Sequence, residues 1–549
     1  MGGAFGGGWA HVGLVGLVLA CGGGALAQTS TAPGRIEQDT RPEPRPAPRD
    51  TIRLDTARYA EQAPAGAAAV GFTLGAVQLE GNRAIATEAL APLWAARLGQ
   101  RISLADAFAI AGAISASYRE AGYVLSQAIV PAQDLPTGAP ATLQIQVLEG
   151  YVEQVLVGGE LSAALQPHLA PVLAERPLRL ATLERALLLV NELAGVSAQA
   201  SLRAGTSAGA SVLELAVARD RAGGSLAVHN RSTKAQGRVR FEAGGEVRGV
   251  LGAFDRHGLR LISSGDERLN LLAYAGEAPL GAGGLKLQWN ASASRSEPDS
   301  PLPNVDTESN NLSLGLSYPV LRSRASNVAL RTAIGGYDNQ SGGGLTSRDR
   351  IRSARIGLAA DHADAAGGIS LVDLEFVKGF GGLGASERGD PLLNGADPEF
   401  ARTSLYLARL QSLGGNFSLL LAATAQASGD RLPTAEQLGL GGDTFVRAFD
   451  PSEAIGENGA AGKLELRWSF GLGPGAGTLY AYYDAGRVSR KQATGPDLRT
   501  TLAATGLGLR FSGPAGLRGY LEYAKPLKRD VASEGNRKGR VFAGLGIDL

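Results

Sequence analysis

Sulfur is almost missing from this chain. Its 549 residues hold one cysteine, Cys21, and one methionine, Met1. Cleavage after residue 27 would leave a mature chain without a thiol, which excludes a disulfide framework and any thiolate metal site. Histidine is scarce as well. His11, His168, His229, His257 and His362 show no metal-ligand spacing and read as scattered surface histidines, so no metal and no cofactor is expected. Charge of one sign is also missing: 53 basic residues face 52 acidic ones, a net charge of +1, and nucleic acid is not expected as a partner. Long apolar runs are absent. The run Val12–Ala20 is too short for a spanning helix, which needs about 20 residues. No phosphate-binding P-loop, no G-x-G-x-x-G after a strand and no H-E-x-x-H occurs.

Glycine is abundant, at 77 residues, and concentrates in the C-terminal part. There the side chains alternate. Leu464, Leu466, Trp468 and Phe470 oppose Lys463, Glu465, Arg467 and Ser469; Val541, Ala543, Leu545, Ile547 and Leu549 oppose Phe542, Gly544, Gly546 and Asp548. Period two means a strand with one apolar and one polar face. The pattern repeats through sixteen segments, from 223–231 to 538–549, and an even number of such segments is the signature of a transmembrane β-barrel. Membrane residence then comes from strands, with lipid as the outward partner. Short turns such as Leu413-Gly414 alternate with long connections at 295–308, 338–349, 380–398 and 429–461, which places the short turns on one side of the membrane.

The N-terminal part is different. Ala25-Leu26-Ala27 is an A-x-A site after the short apolar run, so residues 1–27 read as a secretory signal peptide, although Met1–Ala10 lacks Lys and Arg. Val18-Leu19-Ala20-Cys21 offers a lipobox as the alternative. Residues 28–70, with Arg41–Pro48 alternating in proline, form an extended linker in which Asp50–Gln62 is a candidate short helix. Two similar units follow. In 71–149 the order is a strand over Phe72–Leu79, a helix over Ala86–Leu98, a helix capped by Ser103 and stopped at Gly122, then strands Leu125–Val130 and Ala141–Leu148. In 150–220 it is a strand over Val152–Val157, helices Leu161–Leu173 and Leu180–Leu193, and strands Ala198–Leu202 and Ser211–Ala218. A duplicated β-α-α-β-β unit carries more weight than any single element. Residues 221–549 complete the chain as the barrel.

The longest late loop contains Leu440-Gly441-Gly442 and Val446-Arg447-Ala448-Phe449, and a later strand contains Tyr482-Tyr483-Asp484-Ala485-Gly486. These motifs resemble those of the two-partner-secretion transporters, the haemolysin/haemagglutinin secretion-activation family within the superfamily of POTRA-plus-barrel proteins. The resemblance covers roughly 71–549. The family motifs are Leu-Gly-Gly with Val-Arg-Gly-Phe/Tyr, and aromatic-x-Asp-x-Gly. Ala448 replaces the glycine, which keeps the arginine in register but is expected to restrict the loop backbone. Tyr118–Tyr123 and Val147–Gly150 resemble the family's first POTRA, and Gly34–Gln38 its linker. The resemblance implies a membrane β-barrel of about sixteen antiparallel strands with two N-terminal α+β POTRA domains. It also implies a loop folded into the lumen, where Arg447 meets Asp484. Read alone, Arg447 is a solvated loop arginine. Paired in a partly wetted lumen, it would contribute only about 1 kcal/mol.

The function this implies is outer-membrane export of one partner exoprotein, bound in the periplasm by the POTRA domains, without enzymatic activity. Three alternatives remain open at this point: a β-barrel insertase of the same superfamily, a porin, and a membrane-anchored esterase using Ser207 of Gly205-Thr206-Ser207-Ala208-Gly209. The family's insertases usually carry more POTRA domains than fit here. The esterase motif needs a strand before it and a helix after it, whereas Ser211–Ala218 alternates as a strand, so a hairpin turn is expected.

Overall fold

A computed structural model describes residues 35, 43–46, 63–136, 138–299, 305–343 and 346–549. The expected signal peptide and the expected helix over Asp50–Gln62 lie outside these residues. The chain divides into two compact units, and the described residues 35 and 43–46 group with the barrel.

The α+β unit holds two sheets. The first is ordered β2-β1-β4-β3, from β1 (Gly71–Glu80), β2 (Arg101–Ser103), β3 (Gln127–Ile129) and β4 (Pro140–Leu148). The second is ordered β5-β7-β6, from β5 (Tyr151–Val157), β6 (Val196–Ala204) and β7 (Ala210–Arg219). The duplication extends to detail: β1 pairs parallel with β4, β5 pairs parallel with β7, and each pair shifts register near its start, at Leu74/Ala76 and at Val152/Gln154. The first sheet covers an apolar core with Phe72, Leu74, Ile110, Ile114, Leu143 and Ile145.

Its helices differ from expectation in one place. Only α1 (Thr87–Leu90) is α-helical within 86–98; two 3-10 turns, Ala91–Leu93 and Ala95–Arg97, follow it. Pro92 has no N–H to continue the α ladder. The three-residue β2 is too short to show a period. Helix α2 (Leu104–Glu120) starts at Ser103 with a capping box. The Ser103 hydroxyl accepts the Asp106 amide, and the Asp106 carboxylate accepts the Ser103 amide at 2.9 Å. Helices α3 (Ser162–Ala174) and α4 (Leu180–Asn191) complete the second repeat.

The other unit is a closed antiparallel barrel. Its strands are β8 (Ala222–His229), β9 (Arg240–Arg248), β10 (Arg256–Ser264), β11 (Leu269–Pro279), β12 (Lys286–Ser296), β13 (Thr307–Arg322), β14 (Ser326–Ser341), β15 (Ser347–Ala363), β16 (Gly368–Gly379), β17 (Ala401–Gly414) and β18 (Phe417–Ala427). After a long loop come β21 (Asn458–Leu472), β22 (Gly475–Arg490), β23 (Leu498–Ser512), β24 (Leu517–Pro526) and β25 (Arg540–Asp548), and β25 closes on β8. Each of the sixteen expected segments is one of these strands. β14 and β15 run further than expected, so most of the expected loop 338–349 is strand. Apolar alternation marks only the lipid-facing stretch, whereas backbone pairing continues beyond it.

The two faces are chemically separate. On β21, Leu464, Leu466 and Trp468 are 45%, 42% and 41% exposed, while Lys463 and Glu465 are 7% and 1% exposed. Many strands repeat this outward apolar face, which needs hydrocarbon around it. Among the described residues no helix is long and apolar enough to cross a membrane.

Candidate functional site: the loop inside the barrel

Residues 428–457 connect β18 to β21. Within them a 3-10 turn, Thr434–Glu436, leads to a small hairpin of β19 (Leu438–Leu440) and β20 (Ala454–Gly456). The hairpin encloses the motif. At its tip the chain turns through Gly441 (φ 116) and Gly442 (φ 94). A Cβ on Gly441 would sit 1.9 Å from the Asp450 carbonyl oxygen, so this position requires glycine. The left-handed residue of the next motif is Val446 (φ 59), not Ala448. The expected restriction at Ala448 is therefore absent, because that position does not need glycine's conformational range. The strain falls on a β-branched side chain, at a cost of about 1–3 kcal/mol. Burial holds it there: Leu440, Phe445, Val446, Ala448 and Phe449 form one apolar cluster with inward-facing Ala422, Ala461, Tyr480 and Tyr482.

Arg447 is brought onto Asp484. Its Nε donates to Asp484 Oδ2 at 2.8 Å and its Nη2 to Oδ1 at 2.9 Å, while its backbone N–H donates to Oδ2 at 3.2 Å. Nη1 donates to Glu465, and the guanidinium lies 3.6 Å from the Tyr482 ring centroid. The side chains of Arg447, Asp484 and Glu465 are 3%, 0% and 1% exposed. The pair is thus buried rather than partly wetted. Breaking it costs about 3–5 kcal/mol, because a single charge would stay behind in the interior. The loop itself excludes the water that a bare lumen would supply.

Asp484 and Gly486 lie two apart on β22 and face the same way. A Cβ on Gly486 would come 2.8 Å from Leu440 Cδ1 and 2.8 Å from Ala461 Cβ. That glycine leaves room for the loop's own leucine. Tyr482 also packs over a glycine, since a Cβ on Gly506 would come 2.6 Å from its ring.

The network extends beyond the motif residues. Glu465 also accepts from Arg510 Nη1 and Arg467 Nε, both at 2.7 Å. Glu522 on β24 accepts the Tyr480 and Tyr482 hydroxyls at 2.7 and 2.9 Å and pairs with Arg231 at 2.5 Å. Arg231 reaches the carbonyls of Gly442 and Arg447, and Arg540 reaches the Ala448 carbonyl at 3.1 Å. Sequence reasoning did not select Glu465, Glu522, Arg231, Arg510 or Arg540. Their alternation marks an inward face, but nothing local marks which inward charges meet. The N-terminal segment reaches the same loop. Buried Arg35 donates to the Thr434 carbonyl at 3.1 Å, to the Gln437 carbonyl, and to Ser452 Oγ at 2.7 Å, and Glu43 pairs with Lys463 on β21.

Comparison with known proteins identifies the family and the fold. The family model described as haemolysin secretion/activation protein ShlB/FhaC/HecB matches residues 209–511, and the POTRA domain model of ShlB type matches residues 72–150. The chain belongs to this secretion/activation family. It is similar to the outer membrane transporter CdiB of Escherichia coli, 27% identical over 440 residues that cover 75% of this chain and 71% of CdiB. It is also similar to the heme/hemopexin transporter protein HuxB of Haemophilus influenzae (strain 86-028NP), 23% identical over 485 residues covering 84% of each. Among solved structures, CdiB from Escherichia coli superposes with a TM-score of 0.72 at 24% identity, over 90% of this chain and 95% of that one. BamA from Haemophilus ducreyi, lacking POTRA domains 1–3, shares the fold more distantly, at a TM-score of 0.50 and 12% identity over 87% of this chain and 100% of that one. The protein is therefore a two-partner-secretion transporter of the bacterial outer membrane, with its N-terminal POTRA region in the periplasm.

Proposed function

We propose that this secretion/activation family member exports one specific exoprotein, of haemolysin or adhesin type, from the periplasm to the cell surface through the barrel lumen. The observation that carries the reading is the loop held in the lumen by the buried Arg447–Asp484 pair. Such a loop controls the passage and can be displaced by a chain entering it. Val446, Arg447, Ala448 and Phe449 form its docking tip, Leu440, Gly441 and Gly442 its turn, and Tyr482, Asp484 and Gly486 the receiving strand.

The division into a signal peptide (1–27), linker (28–70), two POTRA domains (71–149 and 150–220) and barrel (221–549) belongs to this reading. The cargo arrives unfolded and binds first to the POTRA pair. β6 is an outer strand of its sheet, and an unpaired strand edge accepts an extended segment through backbone hydrogen bonds. Folding outside supplies the direction. The protein carries out no covalent chemistry: Ser207 lies in the turn between β6 and β7, where the Ala210 amide donates to its carbonyl at 3.0 Å, and a strand follows it. The nucleophile geometry needs a helix there. A porin would leave the lumen open, whereas here a loop crosses it.

Deleting 71–219 tests the proposal. The truncated barrel is expected to insert and to keep its heat-modifiable migration, while cargo stays in the periplasm. Normal secretion by that variant would overturn the proposed POTRA step.

A further inference from the structure

The docked loop has a second attachment that no motif marks. Glu436, in the turn Thr434–Glu436, is fully buried. Its Oε1 accepts from Arg355 Nη2 on β15 at 2.7 Å, and its Oε2 accepts from Arg402 Nε on β17 at 2.7 Å. Between them on β16, Glu375 Oε1 lies 3.1 Å from Arg402 Nη2 and 3.5 Å from Arg355 Nη1. Two arginines thus meet two carboxylates, and one carboxylate is supplied by the loop. The wall alone would leave two guanidiniums facing Glu375. Gln426 on β18 donates to the Glu436 carbonyl at 2.9 Å and fixes the turn's backbone.

The apolar surroundings are separate too. Leu432 and Ala435 pack with Tyr337, Ile351, Val377 and Phe400. This cluster shares no residue with the one around Val446–Phe449. In the order of the ring, β17 and β18 and then β21 stand between β16 and β22. The loop is therefore fastened to two different sectors of the wall.

We propose that Glu436 is a positioning residue that clamps the loop's upstream arm to β15 and β17, independently of the Arg447 attachment. Its consequence for export rests on the function proposed above; the clamp itself does not. Charged pairs with no shared partner contribute additively, whereas members of one pair do not.

The test reads loop position directly in the full-length protein. A Cys21→Ser background carries a single reporter, Thr444→Cys, which intact cells expose to a membrane-impermeant maleimide. In barrels with unchanged heat-modifiability, Glu436→Gln is expected to raise the labelling rate about tenfold or more, as loss of one member of a buried pair implies. Arg402→Gln is expected to act alike, and Glu436→Gln with Arg402→Gln no more than either alone. Glu436→Gln with Arg447→Ala should label faster than either single variant. Labelling at the parent rate in Glu436→Gln, or a double variant no faster than Arg447→Ala, overturns the clamp. If Glu436→Gln does not assemble, Arg355→Gln, which keeps the Arg402 contact, is read by the same criterion. Faster labelling with undiminished secretion would keep the clamp and remove the loop's role in export.

Discussion

Arg447→Ala is the most decisive perturbation, because the structure assigns different consequences to the two sides of the pair. Among the described residues, the side-chain hydrogen bonds that Asp484 accepts come from the Arg447 guanidinium. Truncating Arg447 leaves that carboxylate buried with only the backbone amide at 3.2 Å. Loss of one member of a buried pair costs about 3–5 kcal/mol, which is about two to three and a half orders of magnitude in the docked-to-undocked ratio. Asp484→Ala is milder. Arg447 then keeps Glu465 and the Tyr482 face. Arg447→Lys falls between them, since an ammonium keeps the charge but cannot make the two-pronged contact. Three readouts are needed on each variant: heat-modifiable migration for barrel assembly, protease cleavage of the loop in intact cells for docking, and cargo in the medium for export. The expected order of defect in the last two is Arg447→Ala, then Arg447→Lys, then Asp484→Ala, with the double variant no worse than Arg447→Ala. An Arg447→Ala protein with a protected loop and undiminished export would refute the reasoning. So would an Asp484→Ala defect larger than that of Arg447→Ala, because Glu465 would then not be the second acceptor.

Gly486→Val should push the loop away from the wall at a cost of about 1–3 kcal/mol, seen as increased protease cleavage, and Leu440→Ala should restore part of the protection. Ser103→Ala removes the helix cap of the first POTRA domain and should destabilise it by about 1 kcal/mol, read as faster amide exchange at the start of α2. The Ser103 hydroxyl, and then its backbone amide, hold the Asp106 carboxylate below its ordinary pKa of 3.8. A depressed carboxylate stabilises above its unfolded-state value, so this contribution is present at neutral pH and fades as pH falls below 3.8 through the folded value. Amide protection at that helix start should follow the same curve, and protection that rises on acidification would contradict the cap.

The order of residues was enough to read the strands of the barrel and the Leu440–Gly442 and Val446–Phe449 motifs of its loop. Strand alternation is local and has an exact period, so Leu464, Leu466 and Trp468 could be set outward and Glu465 inward without knowing any neighbour. The duplicated unit was legible for the same reason, as was the Ser103 cap, which lies within four residues of what it caps. Resemblance added that Arg447 and Asp484 meet. How dry that meeting is, that Val446 rather than Ala448 takes the left-handed backbone, that Glu465, Glu522 and Arg231 hold the loop from the wall, and that the loop's own Glu436 meets Arg355 and Arg402 follow only from the tertiary structure. Glu465 and Glu522 lie on different strands, β21 and β24, and they reach the loop only through the register of pairing around the ring. A slip of one residue in that register would turn Glu465 or Glu522 to the lipid. Nothing in a single strand's sequence fixes its register against the others; closure of the whole barrel around the loop does.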